Sequence, residues 1–271
     1  MAESDLTSRI AACERRFSLN VEAPFAMLTY NWVAPATTSD GLRVVLKLGT
    51  PNPELASEIS ALSAWAGRGA AQLIAADAAD GVLVIERLLP GTPLAELGVE
   101  RDDEATAIAI ALMHELHRTE PPSDLPTLAT WTEGLVRARE AGFALELVER
   151  ALAVRAELLA SAPEPVLLHG DLHHTNILAA ERQPWLAIDP KGVVGDPAYE
   201  PAPFLYNPID RLLDGATVAR RIAHFAEHFE RRRVMDWAFV QAVLSAWWSF
   251  EETGRGYERA LEFARLLQLL R

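Results

Sequence analysis

The pattern of apolar and polar positions changes once along the chain, near residue 90. Before that point it predicts a helix over 6–17 and short strands over 17–21, 25–34, 42–48, 72–76 and 82–87. In the third strand Val44, Leu46 and Leu48 alternate with Arg43, Val45 and Lys47. A period of two therefore places Lys47 on the face opposite those three aliphatics. Asp40-Gly41 reads as the hairpin turn that precedes it. Asn52-Pro53 opens a helix, because Asn caps and Pro is tolerated at the first helical position. Leu55, Ile59 and Leu62 then form one apolar stripe, with Glu58 at its border and Gly67 and Gly69 ending the helix. Three strands, a helix and two strands describe a five-stranded antiparallel layer with one main helix.

Leu89-Pro90-Gly91-Thr92-Pro93 is the clearest interruption, so the boundary is expected between an N-terminal lobe, 1–88, and a C-terminal lobe, 89–271. The second lobe reads as helices over 103–118, 130–141, 143–161, 215–231, 234–252 and 256–270. A strand-like island interrupts them at 166–168, 177–178 and 185–188. The expected class is α+β, a small antiparallel sheet lobe joined to a larger helical one.

Composition narrows what such a fold does. The chain has 271 residues, half of them apolar, and 38 acidic against 25 basic side chains give a net charge of −13. That excess disfavours a nucleic-acid backbone as partner and is compatible with a cationic small molecule. The one cysteine, Cys13, excludes an intramolecular disulfide and a Cys-rich zinc site. No long apolar run predicts a membrane span, and the acidic N-terminus does not resemble a signal peptide, so a cytoplasmic location is expected.

The chemistry is concentrated in His169-Gly170-Asp171-Leu172-His173-His174-Thr175-Asn176. Asp171 and Asn176 fit the frame H-x-D-x-x-x-x-N, in which an Asp takes the proton of a hydroxyl and an Asn holds Mg²⁺. Asp189 follows after two short strands, and a hairpin of that size would bring it beside Asn176 to share the metal. Upstream, Lys47 on the third strand and Glu58 on the next helix match the pair that holds nucleotide phosphates, with Glu54 the competing partner. The H-x-x-x-H spacing of His169 and His173 also occurs in zinc proteins, but Gly170 argues against the helix that would align the rings.

Residues 166–178, which contain this loop, resemble the catalytic loop of the aminoglycoside phosphotransferases. The segments Ala187-Ile188-Asp189-Pro190-Lys191-Gly192, Gly195-Asp196-Pro197-Ala198-Tyr199-Glu200 and Glu86-Arg87-Leu88-Leu89-Pro90-Gly91 are similar, more narrowly, to the streptomycin and hydroxyurea phosphotransferase branch. The resemblance implies a protein-kinase-like bilobal fold, ATP and Mg²⁺. It makes Asp171 the catalytic base, with Asn176 and Asp189 as metal ligands and Lys47 with Glu58 on the nucleotide phosphates. It makes Glu86 to Leu88 the hinge whose backbone meets adenine. Asp196, with His169, would steady the catalytic loop, and Glu200 stands where related kinases often carry Asp.

Two departures shape the expected acceptor. No G-x-G-x-x-G precedes Lys47, and Thr29-Tyr30-Asn31 occupies that turn. Asp189-Pro190-Lys191 replaces D-F-G and no A-P-E follows, which points to a small-molecule acceptor rather than a protein. Trp131, Trp247, Trp248, Glu251, Glu252 and Glu258 are candidates for its site, with Glu200 beside them. Trp248, Glu251 and Glu252 share a helix face, and an aromatic beside two acids suits a guanidinium or ammonium group. The expected reaction is phosphorylation of a hydroxyl on a cationic small molecule such as streptomycin. An endogenous sugar or amino alcohol, or a non-catalytic nucleotide-binding role, are the alternatives.

Overall fold

The computed structural model describes residues 3–25, 31–208 and 214–270. Helix α1 (Glu3–Phe17) leads into strands β1 (Leu19–Val21), β2 (Trp32–Thr38) and β3 (Arg43–Leu48). Helix α2 (Pro53–Trp65) and strands β4 (Leu73–Asp77) and β5 (Val82–Glu86) complete the sheet. All its pairings are antiparallel, in the order β1-β2-β3-β5-β4.

The sheet's two faces do different things. Val44, Leu46, Leu48, Val82 and Val84 pack with Cys13 and Leu19, and Leu6, Ile10 and Phe17 of α1 close that side. Lys47 lies on the other face, toward α2. Leu46 is fully buried, so Leu46→Ala would cost roughly 2–5 kcal/mol. Asn52 caps α2 by accepting from the Leu55 N–H at 2.9 Å, and Pro53 occupies the first turn.

The second strand differs from expectation. It begins at Trp32 and runs through Pro35, whereas the alternation ended it at Ala34. Pro35 faces the chain just past β1, where the Glu22 N–H donates to the Pro35 carbonyl at 2.9 Å, so only the return bond of that pair is lost at the edge of the sheet. The earlier part of the expected strand, residues 26–30, lies outside the described residues.

The remainder is mostly helical. It contains β6 (Pro90–Pro93), α3 (Asp102–Leu116), α4 (Leu128–Trp131), α5 (Gly134–Glu140) and α6 (Leu145–Ala160). Strands β7 (Val166–Leu168), β8 (Ile177–Ala180), β9 (Trp185–Ala187) and β10 (Val193–Gly195) follow. The chain ends in α7 (Pro201–Tyr206), α8 (Gly215–Phe225), α9 (Arg231–Thr253) and α10 (Glu258–Leu269). The helix expected over 130–141 is two short ones. The one expected over 215–231 stops at Phe225, because Glu230 caps a new helix by accepting from the N–H groups of Arg232 and Arg233. Helix α7 had no periodic signal, yet Pro201 and Pro203 sit in its first turn, where a missing N–H costs little.

One apolar cluster runs through the expected boundary at residue 88. It joins Leu55, Trp65, Leu83 and Ile85 to Leu94, Met113, Leu116 and Leu172. The β8–β9 hairpin is also tied to the first lobe. The Ala71 N–H donates to the Ala187 carbonyl at 2.8 Å, and Arg182 donates to the Gly67 carbonyl and the Glu86 carboxylate. The two parts are therefore distinct in architecture but share a core.

Candidate active site

Lys47 reaches across from β3 to Glu58 on α2, with Nζ 2.7 and 2.9 Å from the two carboxylate oxygens. The same ammonium is 2.5 Å from Asp189. Glu54, the competing partner, instead meets Lys191 at 3.2 Å. Asp189 adopts a left-handed backbone conformation, φ +60°, at the turn out of β9. Aspartate is among the few residues that take this conformation readily.

Two carboxylates sharing one lysine ionise unequally. Burial lifts the Glu58 carboxyl to about 7, against the pull of Lys47, and the Asp189 charge adds to the rise. Burial raises Asp189 too, but Lys47 and Lys191 outweigh it and hold that carboxyl below its ordinary range. Burial pulls the Lys47 ammonium down, and Glu58 with Asp189 more than restores it, so the lysine stays charged.

The loop between β7 and β8 carries Asp171, whose side chain is about one-third exposed. His169 is fully buried and stacks on Trp65. Its Nε2 lies 2.9 Å from the Ile188 carbonyl, and its Nδ1 faces the Asp171 N–H at 3.3 Å. Only a neutral ring protonated at Nε2 satisfies both, and burial lowers the His169 pKa accordingly. This histidine thus fixes the backbone of Asp171 and spans to Ile188, the residue before Asp189. The Asn176 amide donates to the Asp171 carbonyl at 3.0 Å. The Ile188 N–H donates to the Asn176 carbonyl at 2.9 Å, so the hairpin does bring Asn176 beside Asp189.

Two of the expected residues are placed differently from the expectation. Glu200 does not face an acceptor. It is fully buried, accepts from the backbone N–H groups of His169 at 2.7 Å and Gly170 at 3.0 Å, and lies 3.3 Å from His117 Nε2. It is the carboxylate that holds the backbone of the loop between β7 and β8 at His169 and Gly170. Asp196, expected to do so, is turned the other way. It accepts from the Ala198 N–H, the Trp237 indole at 2.7 Å and Arg233 of α9. Burial in the second lobe, four residues apart, separates the two carboxylates.

The zinc alternative has no support among the described residues, where no group of three or more His, Cys, Asp or Glu is placed to hold a metal. His174 instead sits against Arg221 and stacks on Phe204. The donor set does fit Mg²⁺. Asn176, whose amide nitrogen is committed to Asp171, and Asp189 are hard oxygen donors side by side. Glu58, the other carboxylate at Lys47, has both oxygens engaged by that lysine, and the two remaining oxygen donors suit an ion that completes its shell with substrate phosphates.

Two cavities meet at this cluster. One, of about 690 Å³, has apolar walls of Val33, Val45 and Ile85 from the sheet and Leu178 and Ile188 from the hairpin. Residues 86–91 and Asn176 also line it. The Glu86 N–H and carboxylate are already engaged, by the Gln72 carbonyl and by Arg182. The other, of about 880 Å³, is lined by Trp131, Trp248, Glu251 and Glu252 along with Glu54 and Lys191. Asn31, Lys47, Glu58 and Asp189 border both. Trp131 and Trp248 meet edge to face at 5.3 Å. Glu251 is held by Arg137 at 3.1 Å, so a ligand cation would compete with that arginine. Trp247 is core, and Glu258 is exposed at the start of α10.

Sequence reasoning missed a recess beside Asp171, lined by Tyr206, Asn207, Gln241 and Ser245. Gln241, Ser245, Trp248 and Glu252 recur at helical spacing on α9, so one face of that helix runs from the recess to the larger cavity. Gln241 and Ser245 lie one to two turns upstream of Trp248 on this stripe.

The comparisons agree with this geometry. Residues 26–254 match the family described as aminoglycoside/hydroxyurea antibiotic resistance kinase. The chain is 40% identical to a hydroxyurea phosphotransferase of Kitasatospora aureofaciens over 74% of its own length and 61% of that protein's. It is 30% identical to a streptomycin 6-kinase of Streptomyces griseus, over 91% of this chain and 84% of that one. Among solved structures, an aminoglycoside phosphotransferase in ternary complex with ADP and hygromycin B superposes with a TM-score of 0.69 at 12% identity, covering 96% of each chain. That likeness shows the protein-kinase-like bilobal fold.

Proposed function

The chain belongs to the aminoglycoside/hydroxyurea antibiotic resistance kinases, and from that premise we propose that it transfers the terminal phosphate of ATP to a hydroxyl of a cationic aminoglycoside, with streptomycin the lead acceptor. The observation that carries this reading is the meeting of two cavities at Lys47, Glu58 and Asp189, one walled by aliphatics and one by tryptophans and acids.

The first cavity suits a nucleotide. Its apolar walls would hold the base, the backbone of Glu86 to Leu88 its edge, and Lys47 the phosphates, with Glu58 orienting the lysine. Asn176 and Asp189 would hold Mg²⁺, which offsets phosphate charge when bound. Asp171 takes the proton of the acceptor hydroxyl as its oxygen bonds to phosphorus and the bond to the leaving ADP oxygen breaks. His169 and Glu200 keep Asp171 in place. ATP chemistry of this kind belongs in the cytoplasm. Among the described residues no helix is long and apolar enough to cross a membrane.

The second cavity suits the acceptor. Its volume, about 880 Å³, matches a ligand of drug size. Trp248 and Glu252 offer a π face and a carboxylate to an ammonium or guanidinium group. A second reading, hydroxyurea as acceptor, is favoured by the higher identity to the hydroxyurea phosphotransferase. A molecule that small would leave most of the cavity to water.

A coupled ADP-release assay with streptomycin, hydroxyurea, choline and a neutral sugar separates these readings. Turnover with streptomycin well above the others is expected. Turnover with hydroxyurea alone favours the second reading, and turnover with the neutral sugar alone overturns the cationic acceptor.

A further inference from the structure

Lys191 is the second lysine of the larger cavity, and the reaction above gives it no task. Its position is closely determined. Its N–H donates to the His169 carbonyl at 2.8 Å, as does that of Gly192 at 3.3 Å. Gly170 has φ +82°, and a Cβ there would lie 3.2 Å from the Lys191 Cβ. Gly192 has φ +64°, and a Cβ there would lie 2.6 Å from the Ser57 carbonyl oxygen of α2. The two glycines thus let the lysine stem pass between the catalytic loop and α2.

The ammonium pairs with Glu54 at 3.2 Å and lines the larger cavity together with Asp189. Glu54 is 61% exposed, and an ion pair in such a setting is weak and readily exchanged. Lys47, in contrast, already serves two carboxylates. A bound triphosphate adds several negative charges to an acidic cleft. Its terminal phosphate must lie toward Asp171, because that residue meets the attacking hydroxyl. Lys191 is the lysine on that side.

We propose that Lys191 is a catalytic residue, whose ammonium leaves Glu54 for the terminal phosphate of bound ATP and stays with it during transfer. This rests on the kinase reading above. In the transfer the acceptor oxygen–phosphorus bond forms and the bond from phosphorus to the β,γ-bridging oxygen breaks. The hydroxyl proton goes to Asp171 and the electron pair leaves with ADP. Lys191 offsets charge on the oxygens of the group in flight, a contact made most strongly in the transition state.

The test is calorimetric titration with ADP and with a non-hydrolysable triphosphate analogue, both with Mg²⁺. Lys191→Met should lose ~10-fold or more of the triphosphate affinity, as a charge-assisted contact is lost, while ADP affinity changes less than ~2-fold. Lys191→Arg should restore part of the difference, and melting temperatures report folding. Glu54→Gln is the second variant, and releasing the lysine should tighten the triphosphate analogue but not ADP. Equal losses for both nucleotides, an unchanged triphosphate-to-ADP ratio in either variant, or an effect confined to acceptor KM would overturn the proposal. Wild-type protein that binds neither nucleotide would overturn the kinase reading itself.

Discussion

The two cavities that meet at Lys47 and Asp189 are built from different materials. The aliphatic cavity is made by the order of the backbone: sheet face, hinge segment and hairpin. The acceptor-side cavity is made by side chains at one end of α9, by Trp131, and by the start of α2. A wall made by strand order tolerates little change, because it also carries the core. A wall made by an exposed helix face can vary without disturbing the fold. On the proposed reading, the fold and nucleotide side would therefore be shared widely among such kinases, while acceptor choice would be set on α9.

The largest effect should come at the junction. Asp171→Asn keeps the shape of the loop but removes the base, so kcat should fall ~10²–10⁴-fold in a steady-state assay while nucleotide affinity stays near wild type. Next come the walls themselves. Trp248→Ala should raise acceptor KM ~10-fold and leave the KM for ATP unchanged, since an aromatic face beside a carboxylate is lost. Ile85→Ala should do the converse. If both variants shifted both constants alike, the division between the cavities would be broken.

Glu200 and Asp196 sharpen the comparison. Glu200→Ala leaves two buried backbone N–H groups without their acceptor, so it should cost roughly 2–5 kcal/mol by chemical denaturation and also lower kcat. Asp196→Ala should cost similar stability through Arg233 and Trp237, with kcat near wild type at temperatures where it is folded.

The smallest expected effect depends on pH. The Glu58 carboxyl has an ordinary pKa of 4.5 and is raised to about 7 in the fold. The folded state therefore binds the proton more tightly, and this contribution to stability is full below 4.5 and lost as pH rises through 7. Glu58→Gln lacks it. Denaturation of both proteins across that window should show wild type's relative stability falling by about 1–3 kcal/mol. A constant difference would remove the unequal sharing of Lys47.

The sheet, its helix and the chemical residues were legible because each follows from short-range pattern. Period two placed Lys47, the cap at Asn52 placed Glu58, and the length between Asn176 and Asp189 fixed the hairpin. What was not legible depends on tertiary burial. Asp196 and Glu200 are both acids near a 3₁₀ turn, and only packing decides which one meets the loop. Gln241 and Ser245 gave no signal of their own, because their helix is buried along most of its length. The extension of β2 through Pro35 and the start of α7 at Pro201 were not legible, because proline's effect depends on where its missing N–H would have pointed.

The most direct measurement is mass spectrometry of the products when the protein is mixed with ATP, Mg²⁺ and streptomycin, beside Asp171→Asn. The account predicts singly phosphorylated streptomycin and one ADP per product from wild type, and almost none from the variant. ADP released without a phosphorylated acceptor, or equal product from the two proteins, would contradict it.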